Sequence, residues 1–216
     1  MKDAGERGHL ISFEGGEGAG KSTQIKYLKA YLETLSLSVT ATREPGGGPT
    51  GEALRQLVLH PPAPLSAATE ALIMFAARRD HLDLVINPAR AGGAVVLTDR
   101  FYDSTEAYQV AAGDFAADRF KSLLHAVVLK DENPSLTIIL DLDVEVGLKR
   151  AADRGTMDAF ESRGRAFHDA VRRGFLAIAA REPERCVVVD ADREPGAVAV
   201  DIRTIVAARL GIGGGT

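Results

Sequence analysis

A glycine-rich stretch near the amino terminus constrains the fold of this chain more than any other feature. Residues 15–22 read Gly-Gly-Glu-Gly-Ala-Gly-Lys-Ser, which fits the template G-x-x-x-x-G-K-[ST]. An apolar run with β character precedes the stretch at 10–13, and a segment with helical spacing follows it at 23–32. A strand, a glycine loop and a helix in this order place backbone N–H groups around phosphate oxygens. The sequence therefore predicts a nucleotide-binding loop.

The residues of this loop have different expected roles. Its glycines allow positive φ angles and a close approach of the backbone to the ligand. We expect Lys21 to reach the β- and γ-phosphates of the nucleotide, and the Ser22 hydroxyl to hold Mg²⁺. The predicted donor-binding residues are Gly15, Gly16, Glu17, Gly18, Ala19, Gly20, Lys21, Ser22 and Thr23.

Apolar runs separated by helix-period segments indicate the architecture around the loop. The runs that are typical of strands are 10–13, 39–42, 94–98, 136–142 and 187–190. Several of them are apolar on both faces, as expected for a parallel sheet covered by helices on both sides. Long helices are predicted over 67–86 and 160–180, and the proline-rich turn at 60–64 separates two helices. The predicted fold is an α/β, P-loop three-layer sandwich with a five-stranded parallel sheet.

Size and composition limit the classes of protein to consider. A chain of 216 residues is expected to bury one core, so we predict a single domain over 9–210, with flexible ends at 1–8 and 211–216. The formal net charge of -4 argues against nucleic acid and anionic membranes as partners. No apolar run approaches the length of a membrane span and the first residues do not resemble a signal peptide. We therefore expect a cytoplasmic protein.

Polar residues follow three of the predicted strands at points where a sheet core does not require them. Arg43 and Glu44 follow the second strand, and Asp99 and Arg100 follow the third. Asp141 stands near the end of the fourth. Ligands of open α/β sheets bind beyond the carboxyl ends of the strands, so these groups are expected to converge with the glycine loop. Asp99 is suited to orient Mg²⁺, and the planar guanidinium of Arg100 can bind two phosphate oxygens at once.

A basic segment lies further along the chain. Arg150 and Arg154 are one helical turn apart, and Arg163 and Arg165 follow in a polar stretch. Positive charges beside a phosphate loop can neutralise the migrating charge in phosphoryl transfer. A solvated helix surface is the alternative interpretation. We predict a lid segment at about 150–165, with Lys21, Arg100, Arg150 and Arg154 as the catalytic residues.

Several longer motifs occur in a fixed order. They are Thr42-Arg43-Glu44-Pro45-Gly46-Gly47, Phe75-Ala76-Ala77-Arg78-Arg79, Asp99-Arg100-Phe101, Ala107-Tyr108-Gln109 and Leu140-Asp141-Leu142. In this order they resemble thymidylate kinases, from about residue 10 to 210. The resemblance implies a homodimer that transfers a phosphoryl group from MgATP to thymidine 5′-monophosphate (dTMP), giving ADP and dTDP. Another nucleotide or deoxynucleoside kinase of this fold stays open as an alternative, as does a non-catalytic nucleotide-binding regulator.

The resemblance also implies roles for single residues at the acceptor site. Phe75 would stack on the thymine ring, Arg79 would hydrogen-bond its edge, and Thr105 would lie near the base. Tyr108 would lie under the sugar and Glu17 would face the 3′-hydroxyl. Arg43, Arg55 and Arg100 would surround the monophosphate, although a solvated helix face is the alternative for Arg55. The full implied set is Glu17, Arg43, Glu44, Pro45, Arg55, Phe75, Arg79, Arg100, Ser104, Thr105, Tyr108 and Gln109, with Ser22 and Asp99 for the metal.

Two positions depart from the pattern of that family. Thymidylate kinases with lid arginines usually carry Asp-Arg-x-Glu, whereas this chain has Asp158-Ala159-Phe160-Glu161. One expected lid arginine is therefore missing, which leaves Arg150, Arg154, Arg163 and Arg165 as candidates. Gly48 stands where a threonine often follows the Arg-Glu-Pro-Gly-Gly run, and nothing explains that change.

Overall fold

A computed structural model describes residues 7–153, 155 and 158–212. Its central sheet consists of five parallel strands in the order β2-β3-β1-β4-β5. The strands are β1 (Leu10–Glu14), β2 (Val39–Arg43), β3 (Val95–Asp99), β4 (Leu136–Asp141) and β5 (Cys186–Asp190). Each predicted strand lies within one residue of an observed one. The predicted five-stranded parallel sheet is confirmed.

Helices pack on both faces of this sheet. They are α1 (Lys21–Thr34), α2 (Pro49–Leu59), α3 (Ala67–His81), α4 (Asn87–Ala91), α5 (Tyr102–Thr105), α6 (Ala117–Val127), α7 (Val144–Ala152), α8 (Arg165–Arg181) and α9 (Pro195–Leu210). Alternate residues of β1 show the two faces: Ile11 and Phe13 pack with α1 and α9, whereas Leu10 packs with Phe75 of α3. This layering confirms the three-layer sandwich.

Of the two long predicted helices, the first extends over 67–86 as expected and the second is only partly correct. Residues 82–86 continue α3 as a π-helical turn, Leu82–Ile86, which leads into α4. The helix predicted over 160–180 begins only at Arg165. Before it, the Asp158 carboxylate accepts hydrogen bonds from the backbone N–H groups of Phe160 and Glu161, at 2.8 and 2.9 Å. Such a side-chain contact offers the backbone an alternative to the helix, so the segment forms turns instead.

The ends of the described chain contact the helices α4 and α9. Gly8 N donates to Arg90 O at 2.9 Å, and Arg90 Nε donates to Gly8 O at 2.8 Å. Gly211 caps α9 in the left-handed conformation, with φ 64°. The flexible ends expected at 1–8 and 211–216 stay a prediction, and 1–6 and 213–216 lie outside the described residues. In the described part of the chain, no helix is long and apolar enough to cross a membrane.

Candidate active site

The glycine loop connects β1 to α1 and takes the conformation that its glycines allow. Gly15, Gly18 and Gly20 have φ angles of 133°, 68° and 91°. A Cβ atom on Gly15 would lie 2.4 Å from the Leu140 carbonyl oxygen, and one on Gly18 would lie 2.2 Å from that of Gly147. Glycine is therefore required at these two positions both by φ and by the approach of β4 and α7. The first turn of α1 lies directly behind the loop, as a phosphate site needs.

Lys21, Ser22 and Asp99 form the polar floor of this loop. Lys21 Nζ donates to the carbonyl oxygens of Gly15 and Gly16, at 3.1 and 3.0 Å. Burial and the charge of Arg100 lower the pKa of Lys21. The Ser22 hydroxyl donates to Asp99 Oδ2 at 2.8 Å, which places two oxygen donors of the kind that Mg²⁺ prefers side by side.

The Ser22–Asp99 pair fits a magnesium ion held jointly with a nucleotide. Among the residues that the structure describes, no group of three or more His, Cys, Asp or Glu side chains gathers as a metal site. Mg²⁺ commonly takes only one or two protein carboxylates and completes its shell with water and substrate phosphates. One carboxylate and one hydroxyl beside a phosphate loop are therefore a sufficient protein contribution.

Arg100 connects the loop with the side of the cleft formed by Ser104 and Tyr108. Its Nη1 donates to Gly15 O and Ser104 Oγ, both at 3.1 Å. Its Nη2 donates to Glu17 Oε1 at 2.8 Å and to Tyr108 Oη at 3.1 Å. The backbone of Arg100 has φ 73°, which is uncommon for a residue with a side chain and stores strain. A residue held in this way indicates a functional constraint.

Glu14, at the end of β1, holds the turn that contains Arg100. Its Oε1 accepts from Phe101 N at 2.7 Å, and its Oε2 accepts from the Ser104 hydroxyl at 2.5 Å. Burial, with the negative charge of Asp103, raises the pKa of Glu14 to about 8. The sequence motifs do not indicate this residue. The available signal was a carboxylate at the end of an otherwise apolar strand.

Glu17, inside the loop, has the opposite electrostatic behaviour. Burial would raise its pKa, but Arg100 and Lys21 outweigh that effect and hold the pKa of Glu17 at about 2. Tyr108 adds a hydrogen bond from its hydroxyl to Glu17 Oε1 at 2.6 Å. Glu17 is therefore a fixed negative charge that orients Arg100 and Tyr108.

A cleft of about 420 Å³ opens between the loop and the helices after β2 and β3. Among the residues that line it are the predicted Glu17, Arg43, Glu44, Pro45, Arg55, Asp99, Arg100, Ser104, Tyr108 and Gln109, together with most of the loop. Arg55 Nη1 donates to Pro45 O at 3.0 Å, and Arg43 pairs with Glu52 at 2.9 Å. The Glu44–Pro45 peptide bond, which the sequence left undecided, is cis. The structure thus brings the predicted strand ends and the loop together.

Phe75 and Arg79 do not reach this cleft, so their predicted roles are wrong. Phe75 is 1% exposed and packs on Phe120, with ring centroids 5.8 Å apart. Arg79 pairs at the outer surface with Asp83 and Glu132. Thr105 is buried behind the cleft, and its hydroxyl accepts a hydrogen bond from Arg78.

Met74 and Arg78 occupy the face of α3 that Phe75 and Arg79 were expected to occupy. Met74 lines the cleft, and Arg78 lies one helical turn further along the same face. A shift of one residue turns a helical side chain by about 100°. The spacing of four residues fits both pairs, so spacing alone does not distinguish them. The stripe of the helix that faces the core contains Ala71, Phe75 and Leu82. This apolar stripe is the sequence signal that identifies Phe75 as a core residue.

Two buried polar atoms beside the cleft have no protein partner. Arg78, 2% exposed, donates from Nε to Glu44 Oε2 at 2.8 Å and from Nη2 to Thr105 Oγ1 at 3.1 Å. Its Nη1 finds no partner among the described residues, and the same part of the chain offers none to Gln109 Oε1. Because an unsatisfied buried group costs about 1–3 kcal/mol, a donor and an acceptor left open together indicate a ligand.

Residues 158–163 of the predicted lid segment pack against the cleft. Ala159 N donates to Leu59 O at 3.1 Å, and the Phe160 ring packs edge-on against Tyr108 with centroids 5.7 Å apart. The guanidinium of Arg163 lies 4.8 Å from the centre of the Phe160 ring and pairs with Glu70. Arg163 is therefore held by Glu70 and Phe160 and is not directed at the loop.

The other lid arginines have different surroundings. Arg150 lies 3.4 Å from Asp192 and lines a second cleft that adjoins the loop at Gly18 and Gly20. Arg165 is exposed and weakly paired with Glu145 at 3.4 Å. Arg154 lies outside the described residues. Of the described candidates, Arg150 is the one that shares a cleft with the loop.

Comparison with known proteins decides the family. The family model described as "Thymidylate kinase" matches residues 13–202. The thymidylate kinase of Caulobacter vibrioides is 54% identical over 207 residues, which cover 95% of this chain and 99% of that protein. This chain belongs to the thymidylate kinase family. The thymidylate kinase of Rhodopseudomonas palustris is 50% identical over 209 residues, covering 94% of this chain and 90% of that one.

A solved structure supports the thymidylate kinase assignment at the level of the fold. The crystal structure of thymidylate kinase from Ehrlichia chaffeensis superposes with a TM-score of 0.76 at 30% identity. It covers 93% of this chain and 99% of the other. The resemblance inferred from the sequence motifs is thus confirmed, and so is the P-loop kinase fold.

Proposed function

We propose that this chain transfers the γ-phosphoryl group of ATP to dTMP, giving ADP and dTDP. The observation that carries the proposal is the cleft lined by the phosphate loop, Glu44 and Gln109, with an open acceptor on Gln109 and an open donor on Arg78, which pairs with Glu44. Membership of the thymidylate kinase family supports the same reaction. The loop takes the triphosphate, and the opposite wall takes the nucleotide that accepts the phosphoryl group.

The acceptor wall fits the base edge of thymine. Thymine presents the O4 oxygen as an acceptor and the N3–H group as a donor, which match Arg78 Nη1 and Gln109 Oε1. Met74 supplies an apolar surface against which a ring can lie. We therefore assign base recognition to Arg78, Gln109 and Met74, in place of Phe75 and Arg79.

The acceptor phosphate needs positive charge but no general base. A phosphate monoester has a second pKa of about 6, so near neutral pH it is mostly a dianion and already a nucleophile. Arg43, Arg55 and Arg100 line the cleft and can hold this dianion. Catalysis then rests on positioning and on neutralising the charge of the transferring group, with Lys21 and Arg100 as the central residues.

Mg²⁺ and the donor base complete the proposed site. Ser22 and Asp99 would hold the ion, and bound Mg²⁺ neutralises charge on the donor phosphates. The second cleft lies across the loop from the acceptor and is lined by Arg150, Asp192 and Arg193, which suits the donor nucleoside. We assign Arg150 to that side. We further propose that the chain forms a single domain over 9–210 and that the protein is cytoplasmic. We also propose that it is a homodimer, and sedimentation of the purified protein tests this oligomeric state.

The function is tested by ADP release across a panel of acceptors. Purified protein with MgATP is offered dTMP, dUMP, dCMP, AMP and thymidine in a coupled assay. The highest kcat/KM for dTMP supports the proposal, and a preference for another acceptor indicates a different kinase of this fold. ATP binding without acceptor-dependent turnover indicates a non-catalytic regulator. The variant Lys21→Ala, checked for folding by circular dichroism, shows whether the observed turnover belongs to this site.

A further inference from the structure

Glu70 is a buried carboxylate whose two oxygens are both committed. It lies in the first turn of α3 and is 4% exposed. Its Oε2 accepts from Gln109 Nε2 at 3.0 Å, and its Oε1 accepts from the guanidinium of Arg163. We infer that Glu70 determines which base the acceptor site reads, because it fixes the orientation of the Gln109 amide. The inference rests on the proposed function and adds to it a specificity-determining residue.

The hydrogen-bonding chemistry of a carboxylate sets this orientation. A carboxylate accepts hydrogen bonds and donates none, whereas an amide carries a donor at one end and an acceptor at the other. Glu70 therefore takes the Nε2 end of Gln109. The Oε1 end is left without a partner in the described part of the chain, on a residue that lines the cleft and is 0% exposed. Only an acceptor is offered to the ligand at this point.

Gln109 could also adapt to a different base by a movement of its backbone, but its backbone is held in place. Gln109 lies in the π-helical segment Glu106–Ala111, and its carbonyl oxygen accepts from Phe115 N at 2.9 Å. A Cβ atom on Gly113 would lie 2.4 Å from the same carbonyl oxygen, so the following turn packs closely on it. Since the backbone is held, rotation of the amide is the remaining freedom. Glu70 controls that rotation.

Arg78 is the second residue that recognises the base, and hydrogen bonds to neighbouring side chains fix its orientation too. Glu44 accepts from its Nε and Thr105 from its Nη2, so that Nη1 remains as a donor. A donor beside an acceptor matches O4 and N3–H of thymine or uracil. Cytosine has an amino group at position 4 and an unprotonated N3, so it presents the reverse pattern. A site that leaves a buried polar group unpaired rejects the wrong base strongly.

The variant Glu70→Gln tests the inference, because Arg163 still requires an oxygen. The amide that this substitution introduces then turns its NH₂ group toward Gln109, and the amide of Gln109 must rotate to meet it with Oε1. The cleft now faces a donor at the position of N3. We expect the ratio of kcat/KM for dTMP to that for dCMP to fall at least about tenfold. The ratio for dTMP to dUMP stays within about twofold, since both bases present the same edge.

Two further variants separate this role from a structural one. Glu132→Gln makes the same chemical change at a carboxylate that is 3% exposed and lies away from the cleft, with Arg79, so the dTMP to dCMP ratio should not move. Gln109→Met removes the amide and should lower the ratio by itself. Glu70→Gln added to Gln109→Met should then change the ratio by less than about twofold, because the effect passes through the amide.

The kinetics of the single and double variants of Glu70 and Gln109 can either support or overturn the inference. Equal losses for dTMP and dCMP in Glu70→Gln, or additive effects in the double variant, overturn the inference. If Glu70→Gln does not fold, the pair Glu70→Met with Arg163→Met leaves no unpaired charge and should lower the same ratio; an unchanged ratio there also overturns it. Wild-type protein that does not use dTMP contradicts the proposed function itself, whereas wild-type preference for dTMP with an unmoved ratio contradicts only the role of Glu70.

Discussion

The phosphate loop and the acceptor wall face each other across one cleft but are built from different parts of the chain. The loop is a continuous stretch, residues 15–22, whose form depends on backbone conformation at glycines. The acceptor wall consists of side chains from α3 and from 106–111, which are joined by the hydrogen bond between Gln109 and Glu70, while a buried ion pair joins α3 to Glu44. A backbone site can be recognised from a short motif. A site made of side chains depends on which face of a helix turns toward the ligand.

The pKa values of Glu14 and Glu17, which are three positions apart in the sequence, show a similar contrast. Glu14 is enclosed beneath the Arg100 turn and has its pKa raised to about 8, whereas Glu17 is next to Arg100 and Lys21 and has its pKa lowered to about 2. One carboxylate therefore organises the turn while the other neutralises the cations of the loop. Substitutions on each side should have separable effects on donor use, acceptor use and stability.

Turnover should change most in variants of Lys21 and Arg100, the two largely buried cations at the loop. Lys21→Ala or Arg100→Ala removes a charged contact to the transferring group, and we expect kcat to fall on the order of 10²–10³-fold. Steady-state ADP release measures the loss, with circular dichroism as the check on folding. Near-normal turnover in either folded variant would contradict the assignment of these two residues.

The backbone side of the comparison is tested with two glycines. Gly18→Ala forces a side chain onto a positive φ of 68° and against Gly147 O, so we expect a loss of about 1–3 kcal/mol in the free energy of unfolding and weaker ATP binding. Gly16→Ala is the matched control, because a Cβ there meets no described atom within 4 Å. Urea denaturation measures the free energy of unfolding of both variants. Equal losses would show that the loop does not depend on this contact.

The side-chain wall is tested with two neighbouring arginines. Arg78→Lys keeps a positive charge beside Glu44 but loses the planar fork, and we expect the KM for dTMP to rise about tenfold. Arg79→Lys, on the outer surface, should leave the KM for dTMP within about twofold. Steady-state kinetics at saturating ATP compares them. A larger effect at Arg79 would return the assignment to the residue that the sequence first indicated.

The pH dependence of stability should change least. Because Glu14 holds its proton to about pH 8 in the folded protein and to about 4.5 when unfolded, its contribution is complete below 4.5 and is lost as the pH rises through 8. Glu17, with a pKa of about 2, contributes above 4.5 and loses this as the pH falls through 2.

Variants of the two carboxylates should separate these pH ranges. Glu14→Gln should flatten the decline in stability between about pH 4.5 and 8, and Glu17→Gln should flatten the decline between about pH 4.5 and 2, each by at most about 1.4 kcal/mol per pH unit. Denaturation at a series of pH values measures both slopes. If the slope of stability against pH between 4.5 and 8 is unchanged in Glu14→Gln, Glu14 ionises normally.

The sequence was sufficient for the sheet and the loop because their signals are local. Apolar runs located every strand within one residue, and the glycine pattern located the phosphate site. The phase of α3 was not readable, since Met74 with Arg78 and Phe75 with Arg79 have the same spacing. Burial of Phe75 against Phe120 decides between them, and this contact exists only in the packed structure.

The remaining differences have the same physical origin. The late start of α8 depends on a side-chain cap at Asp158, which competes with helical hydrogen bonds. Glu14 and Glu70 act through partners that are distant in the sequence, so no local pattern reveals them. Predictions from motifs therefore reach the residues of the backbone site and miss the residues that position other side chains.

A crystal structure of the protein with dTMP and a non-hydrolysable ATP analogue would show whether the loop and the acceptor wall hold the two nucleotides face to face. We expect the analogue's phosphates on residues 15–23 and the thymine ring beside Met74. Arg78 Nη1 should then lie within hydrogen-bond distance of O4, and Gln109 Oε1 within that of N3. A thymine base bound against Phe75 and Arg79, or dTMP bound outside the cleft, would contradict this arrangement.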